Sequence, residues 1–165
     1  MGKSIMTISF ILNGEDVVIQ SDPGVRLIDI LRTNFGLLGA KTGCQIGSCG
    51  VCSVIINGAV SQSCLIPAFK IRKHEIITIE GFSQTDDYQD IISGFSQSHL
   101  ENCDFCFTGK ILCAAALLGK NPHPERADIL AGFRGIKCRC TDTDALVEAL
   151  VISARIRQQR LYGRT

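Results

Sequence analysis

The chain has no tryptophan, only two tyrosines and four prolines among 165 residues, and no block of like charge. With 17 Lys and Arg against 16 Asp and Glu, the formal charge is +1, which leaves no electrostatic footprint for nucleic acid. Nowhere does the chain reach the ~20 consecutive apolar residues of a membrane span. Lys3 followed by Ile5–Leu12 has the outline of a signal peptide. Thr7 and Ser9 interrupt it, however, and Asn13-Gly14 supplies a turn where a cleavage site would be needed. Met1-Gly2 does not continue into a myristoylation pattern, because Met6 stands where Ser or Thr is required. These absences lead to the expectation of a cytoplasmic protein without nucleic acid and without membrane insertion. Disorder is excluded too: 45% of the residues are hydrophobic and 20% charged, enough to build a core.

What the chain does have is nine cysteines. An odd count in a reducing compartment argues against disulfides and for metal or cluster ligation. Cys44, Cys49, Cys52 and Cys64 fall in the first half; Cys103, Cys106, Cys113, Cys138 and Cys140 fall in the second. The run Cys44-x4-Cys49-x2-Cys52, with Cys64 further on, is the plant-type [2Fe–2S] spacing. Three thiolates can wrap a cluster from one loop only if the backbone turns sharply around it. Gly39, Gly43, Gly47 and Gly50 supply that freedom, and the same loop can aim N–H groups at sulfur. A four-cysteine zinc site is the alternative, but structural zinc more often uses paired knuckles. In the second half, Cys103-x2-Cys106 and Cys138-x-Cys140 are such knuckles, and their spacing alone leaves zinc and iron both open.

The texture of the chain also changes midway. Met6–Leu12 and Val17–Gln20 flank Asn13-Gly14, and Ser53–Ile56 and Val60–Ser63 flank Asn57-Gly58; both read as hairpins. Leu27, Ile28, Ile30 and Leu31 have helical spacing, and Ile76–Ile79 offers a last strand. Ser83–Asp87 reads as a connector. Beyond it, helices are expected over Asp90–His99, over Ile111–Leu118 with a stop at Gly119 and Pro122, from Pro124 onward, and over Ala145–Ile156. Arg155, Arg157 and Arg160 would complement the dipole at the end of the last helix.

With these motifs in order, the sequence resembles the iron–sulfur subunit of the molybdenum hydroxylases, the family of xanthine dehydrogenase, aldehyde oxidase and carbon monoxide dehydrogenase. The matching stretches are Lys41-Thr-Gly-Cys-Gln-Ile-Gly-Ser-Cys-Gly-Val-Cys-Ser-Val, Cys103-Asp-Phe-Cys106 with Gly109, and Cys138-Arg-Cys-Thr141. The resemblance implies an α+β chain: a β-grasp, plant-type ferredoxin-like domain over 1–82, then an all-α four-helix-bundle domain over 83–165. It implies an outer [2Fe–2S] cluster on Cys44, Cys49, Cys52 and Cys64, and an inner one on Cys103, Cys106, Cys138 and Cys140. It further implies an electron-transfer subunit of an oxidoreductase complex with no substrate site of its own. Electrons would run from a molybdopterin cofactor on a large subunit to FAD on a medium subunit.

Departures from the family pattern gather at the second group. Asn102 stands where relatives carry a Gln that helps hold the pterin, Asp104 replaces a Gly, and Asp142-Thr143 replace Gly-Tyr. Asp142 reads as the start of a helix. Asp104 would add negative charge beside a cluster that already carries about −2. At ~6 Å and an effective dielectric of ~20–40 it would oppose reduction by roughly 1.4–2.8 kcal/mol, about 60–120 mV. Cys113, among Ile111, Leu112, Ala114 and Ala115, reads as core. His74, His99 and His123 share no ligand spacing, Arg139 could pair with a partner or a local carboxylate, and Lys41 could offset cluster charge or simply be solvated. Two other functions compete with the family reading: a free-standing ferredoxin-like carrier, and a zinc-stabilised interaction module.

Overall fold

The computed structural model describes residues 5–100 and 103–163. The expectations resting on Met1, Gly2 and Lys3, and on Asn102, lie outside the described residues.

Strands β1 (Met6–Leu12) and β2 (Glu15–Ser21) pair antiparallel, with Ile8 opposite Ile19 and Phe10 opposite Val17. Asn13 and Gly14 close the hairpin with φ of 52° and 87°, as a tight two-residue turn requires. Alternation along β1 buries Ile8, Phe10 and Leu12 and leaves Thr7 and Ser9 outside. Helix α1 (Leu27–Asn34) lays Leu27, Ile30 and Leu31 on that face. Strands β3 (Ser53–Ile56) and β4 (Ala59–Gln62) form the second hairpin around Asn57-Gly58. Strand β5 (Glu75–Ile77) then enters between the hairpins, parallel to β1 and antiparallel to β3. The five-stranded order is therefore β2-β1-β5-β3-β4.

A short helix α2 (Ile79–Phe82) takes the end of the expected strand Ile76–Ile79, and α3 (Asp86–Gln97) takes the end of the expected connector, with Thr85 capping it by accepting the Tyr88 N–H. Helices α4 (Phe107–Lys120), α5 (Arg126–Gly132) and α6 (Thr143–Tyr162) complete the helical half. The helix ends differ from the sequence pattern. Helix α4 begins at Phe107, before the apolar run, and continues through Gly119. Pro124 lies outside α5, whose N-cap is Glu125, its N–H donating to the Asp128 carboxylate at 3.1 Å. Helix α6 runs on to Tyr162, so Arg155 and Arg157 are internal rather than at the dipole end. Arg157 and Arg160 instead reach α3, where they bind Asp87 and Asp90.

The two halves share β3. Val54 points into the core formed with α1, while Ile55 joins the helical core with Phe95, Ile111, Leu112, Leu118 and Leu150. The sheet is thus packed on both faces, and α4 is seated directly against β3. That seating brings the two cysteine groups to one seam.

Candidate metal centres

The first group occupies the loop between α1 and β3. Gln45, Gly47 and Gly50 have φ of 57°, 72° and 77°, so the loop repeatedly reverses its direction around Cys44 and Cys49. The reversals turn amides inward. The Ser48 N–H donates to Cys44 Sγ at 3.2 Å, and the Cys44 N–H to Cys49 Sγ at 3.5 Å. The Ile46 N–H is the main reason that the Cys44 thiol is brought down to about 6, against the opposing pull of burial. Cys52 opens into β3, and Cys64 lies in a single turn that follows β4. The backbone and hydroxyl of Ser63 both donate to the Cys52 carbonyl, at 3.2 and 2.7 Å, and bring the two cysteines side by side. They pack with Ile28 as a small buried group. Burial pushes the Cys52 thiol up to about 11, and the neighbouring Cys64 thiol adds to the rise. The four cysteines therefore arrive as two pairs, Cys44 with Cys49 and Cys52 with Cys64.

The second group forms in the same paired way. Cys106 is the N-cap of α4, and its Sγ is 3.4 Å from Cys138 Sγ. Cys103 and Cys140 are the other pair, linked through their side chains. The N–H groups of Phe105 and Cys106 lower the Cys103 thiol. Burial pushes the Cys106 thiol up to about 11, and the adjacent Cys138 thiol contributes to the rise. At Cys138 burial also opposes the thiolate, but the Thr141 hydroxyl and the N–H of Cys140 outweigh it and bring the thiol down to about 6. Thiols ringed by backbone donors, several of them already acidic, are a donor set that fits an iron–sulfur cluster.

A backbone hydrogen bond joins the centres: the Lys137 N–H donates to the Cys49 carbonyl at 3.2 Å. Cys49 of the first group is thereby one hydrogen bond from the residue preceding Cys138. Two glycines permit the approach. A Cβ on Gly109 would meet the Gly50 carbonyl at 2.6 Å, and one on Gly50 would strike the Gly135 carbonyl. Gly109 is one residue of the sequence motif whose need is steric, not conformational.

The remaining sequence candidates separate cleanly. Cys113 is buried in the helical core, its thiol pushed up to about 12 by burial alone. Asp142 caps α6, accepting from the N–H groups of Asp144 and Ala145 at 3.0 and 3.2 Å. Asp104 and Arg139 are exposed, Lys41 is half-buried, and the three histidines lie apart, with Gln158 the polar partner of His123. Lys110 is a residue that motif and spacing do not single out. It is 1% exposed, and its ammonium donates to Thr141 Oγ1 beside Cys138. No helix is long and apolar enough to cross a membrane among the described residues.

Residues 10–76 match the family described as 2Fe-2S iron-sulfur cluster binding domain, and residues 78–151 match the [2Fe-2S] binding domain family. The chain is 40% identical to the nicotinate dehydrogenase small FeS subunit of Eubacterium barkeri, over 82% of this chain and 87% of that one. It is 33% identical to a probable xanthine dehydrogenase subunit from Bacillus subtilis, over 93% and 86%. Its fold superimposes on a chain of quinoline 2-oxidoreductase from Pseudomonas putida 86 with a TM-score of 0.84 and 34% identity, covering 96% of this chain and 98% of that one. The aldehyde oxidoreductase of Desulfovibrio desulfuricans gives a TM-score of 0.82 at 32% identity, with 92% of this chain corresponding to 17% of a much longer one.

Proposed function

This chain belongs to the iron–sulfur small subunits of the molybdenum hydroxylase family, and on that premise we propose which of its residues hold each centre and which partner each centre faces. The subunit is an electron-transfer component of an oxidoreductase complex; it has two [2Fe–2S]-binding domains, and in this family the molybdenum cofactor and FAD belong on partner subunits.

In our reading the division falls at 82/83. Cys44 with Cys49 and Cys52 with Cys64 would hold the outer cluster, and Cys106 with Cys138 and Cys103 with Cys140 would hold the inner one. The observation that carries this is the pairing of thiols in both groups, joined across the seam by the Lys137–Cys49 hydrogen bond. When bound, the clusters supply one-electron carriers between a molybdenum-cofactor-binding large subunit and an FAD-binding medium subunit. The chain's own work is to hold, shield and align. Ser48 and Ile46 present N–H groups to sulfur, Ile28 packs over Cys52 and Cys64, and Gly50 and Gly109 let the loops close to contact.

Apolar side chains left in solvent around both loops support the docking assignment. Ile46 and Leu65 are 73% and 54% exposed at the outer loop, and Phe105 is 52% exposed at the inner one. We assign the Ile46–Leu65 face to the FAD subunit, the Phe105 face to the molybdenum subunit, and the assembly to the cytoplasm. Co-expression with the two partner subunits tests this: Ile46→Glu/Leu65→Glu should release the flavin subunit alone, and Phe105→Glu the molybdenum subunit alone. Retention of both subunits by both variants would reject the assignment.

A further inference from the structure

Lys110 lies one turn into α4, four residues past Cys106, and is 1% exposed. A lysine ordinarily extends its ammonium to water, and an ammonium held inside a protein needs an opposite charge close by. The ion pairs among the described residues run from Arg126 to Asp144 and from Arg157 and Arg160 to Asp86, Asp87 and Asp90; none includes Lys110. Lys110 and Asp142 line one cleft with Leu130 of α5 and Leu146 of α6, but Asp142 is exposed and its carboxylate already accepts two α6 amides. Asp104 is exposed as well. The Lys110 ammonium donates instead to Thr141 Oγ1, and Thr141 Oγ1 is 3.4 Å from Cys138 Sγ. With Cys138 as the thiolate that a cluster ligand must be, the hydroxyl that accepts from the ammonium turns its own proton to sulfur. The order is therefore ammonium, hydroxyl, thiolate.

We propose that Lys110 is the built-in counter-cation of the inner centre, a positioning residue that acts through Thr141 on Cys138 and raises the reduction potential of the group held there. The proposal rests on the assignment of Cys103, Cys106, Cys138 and Cys140 as ligands. Each electron that enters an anionic cluster adds negative charge, and a desolvated cation nearby favours that step far more than an exposed carboxylate opposes it. Lys110 therefore sets the sign of the local field, opposite to what Asp104 suggests.

Redox titration of the assembled protein, followed by the EPR signals of its reduced clusters, tests this with two variants. Lys110→Met keeps the volume and removes the charge; Lys110→Gln keeps a donor for Thr141 without the charge. Both should weaken reduction of the inner cluster at least tenfold, about 59 mV for a one-electron couple, and leave the outer midpoint where it was. The unmoved outer signal also shows that the variant is folded. An inner midpoint unchanged in Lys110→Met, or restored in Lys110→Gln, overturns the role of the charge. A single cluster signal in the unaltered chain sinks the ligand assignment as well; two signals with an unmoved inner midpoint sink Lys110 alone.

Discussion

Nine cysteines with similar chemistry are sorted by what surrounds each sulfur. Cys44 and Cys138 sit among backbone and hydroxyl donors that favour the thiolate, whereas Cys113 has apolar neighbours on α4 and its thiol is pushed up to about 12. Below that value Cys113 is a neutral thiol, so raising the pH from ~7 to ~9 recruits almost no thiolate. Iodoacetamide should leave it unmodified in the folded protein over that whole range, by peptide mass mapping, and alkylate it once the chain is denatured. Labelling of the folded protein at neutral pH would contradict its burial. Gly50 is the opposite case, a residue whose lack of a side chain matters. Its φ of 77° and the Gly135 carbonyl beyond it leave no room for a methyl group. Gly50→Ala should destabilise by about 1–3 kcal/mol in thermal unfolding and disturb the spectra of both clusters, because the seam joins their loops.

Among the elements, the α3–α6 pair shows how the helical half is held. Gly94 on α3 lets Ser153 of α6 approach closely, and the Ser153 hydroxyl returns to the Ala149 carbonyl at 2.7 Å. Beyond that crossing Arg160 Nε donates to Asp90 at 2.8 Å and Arg157 pairs with Asp87 at 3.0 Å. Asp90 is 5% exposed, so Arg160→Met strands a buried carboxylate and should cost roughly 2–4 kcal/mol of folding stability. Arg126→Ala, which breaks an exposed pair with Asp144, should cost less than about 1 kcal/mol. Differential scanning calorimetry of the two variants checks both values, and equal losses would contradict this picture.

The elements also show what a single sequence can disclose. Both hairpins were legible because Asn-Gly turns are local chemistry, and β1 was legible because half-burial writes a period of two into the chain. The ends of α4, α5 and α6 were not, since Glu125 caps through Asp128 and α6 is extended by partners on α3. The first cysteine group could be read from spacing alone, because its loop contains three of its four sulfurs. The second depends on α4 meeting the 138–140 loop, a tertiary event, so its spacing by itself suits zinc and iron alike. Lys110 was invisible for the same reason: a lysine in a helix is expected to reach solvent, and only packing against Thr141 and the α5–α6 cleft keeps it inside.

On the scale of the whole molecule, one sheet is packed on both faces so that the two cysteine groups meet across Gly50, Gly109 and the Lys137–Cys49 bond. Most of the chain serves this placement, and Ile46, Leu65 and Phe105 stay exposed beside the two loops. The proposed assignment of two clusters to eight cysteines, all but Cys113, is open to direct test. Iron and acid-labile sulfide analysis, combined with EPR of the dithionite-reduced protein and of Cys64→Ser and Cys138→Ser, tests it most directly. About four irons and four sulfides per chain and two distinct [2Fe–2S] signals are expected, with each serine variant altering a different one. Zinc in place of iron, a single signal, or both variants altering the same signal would contradict it.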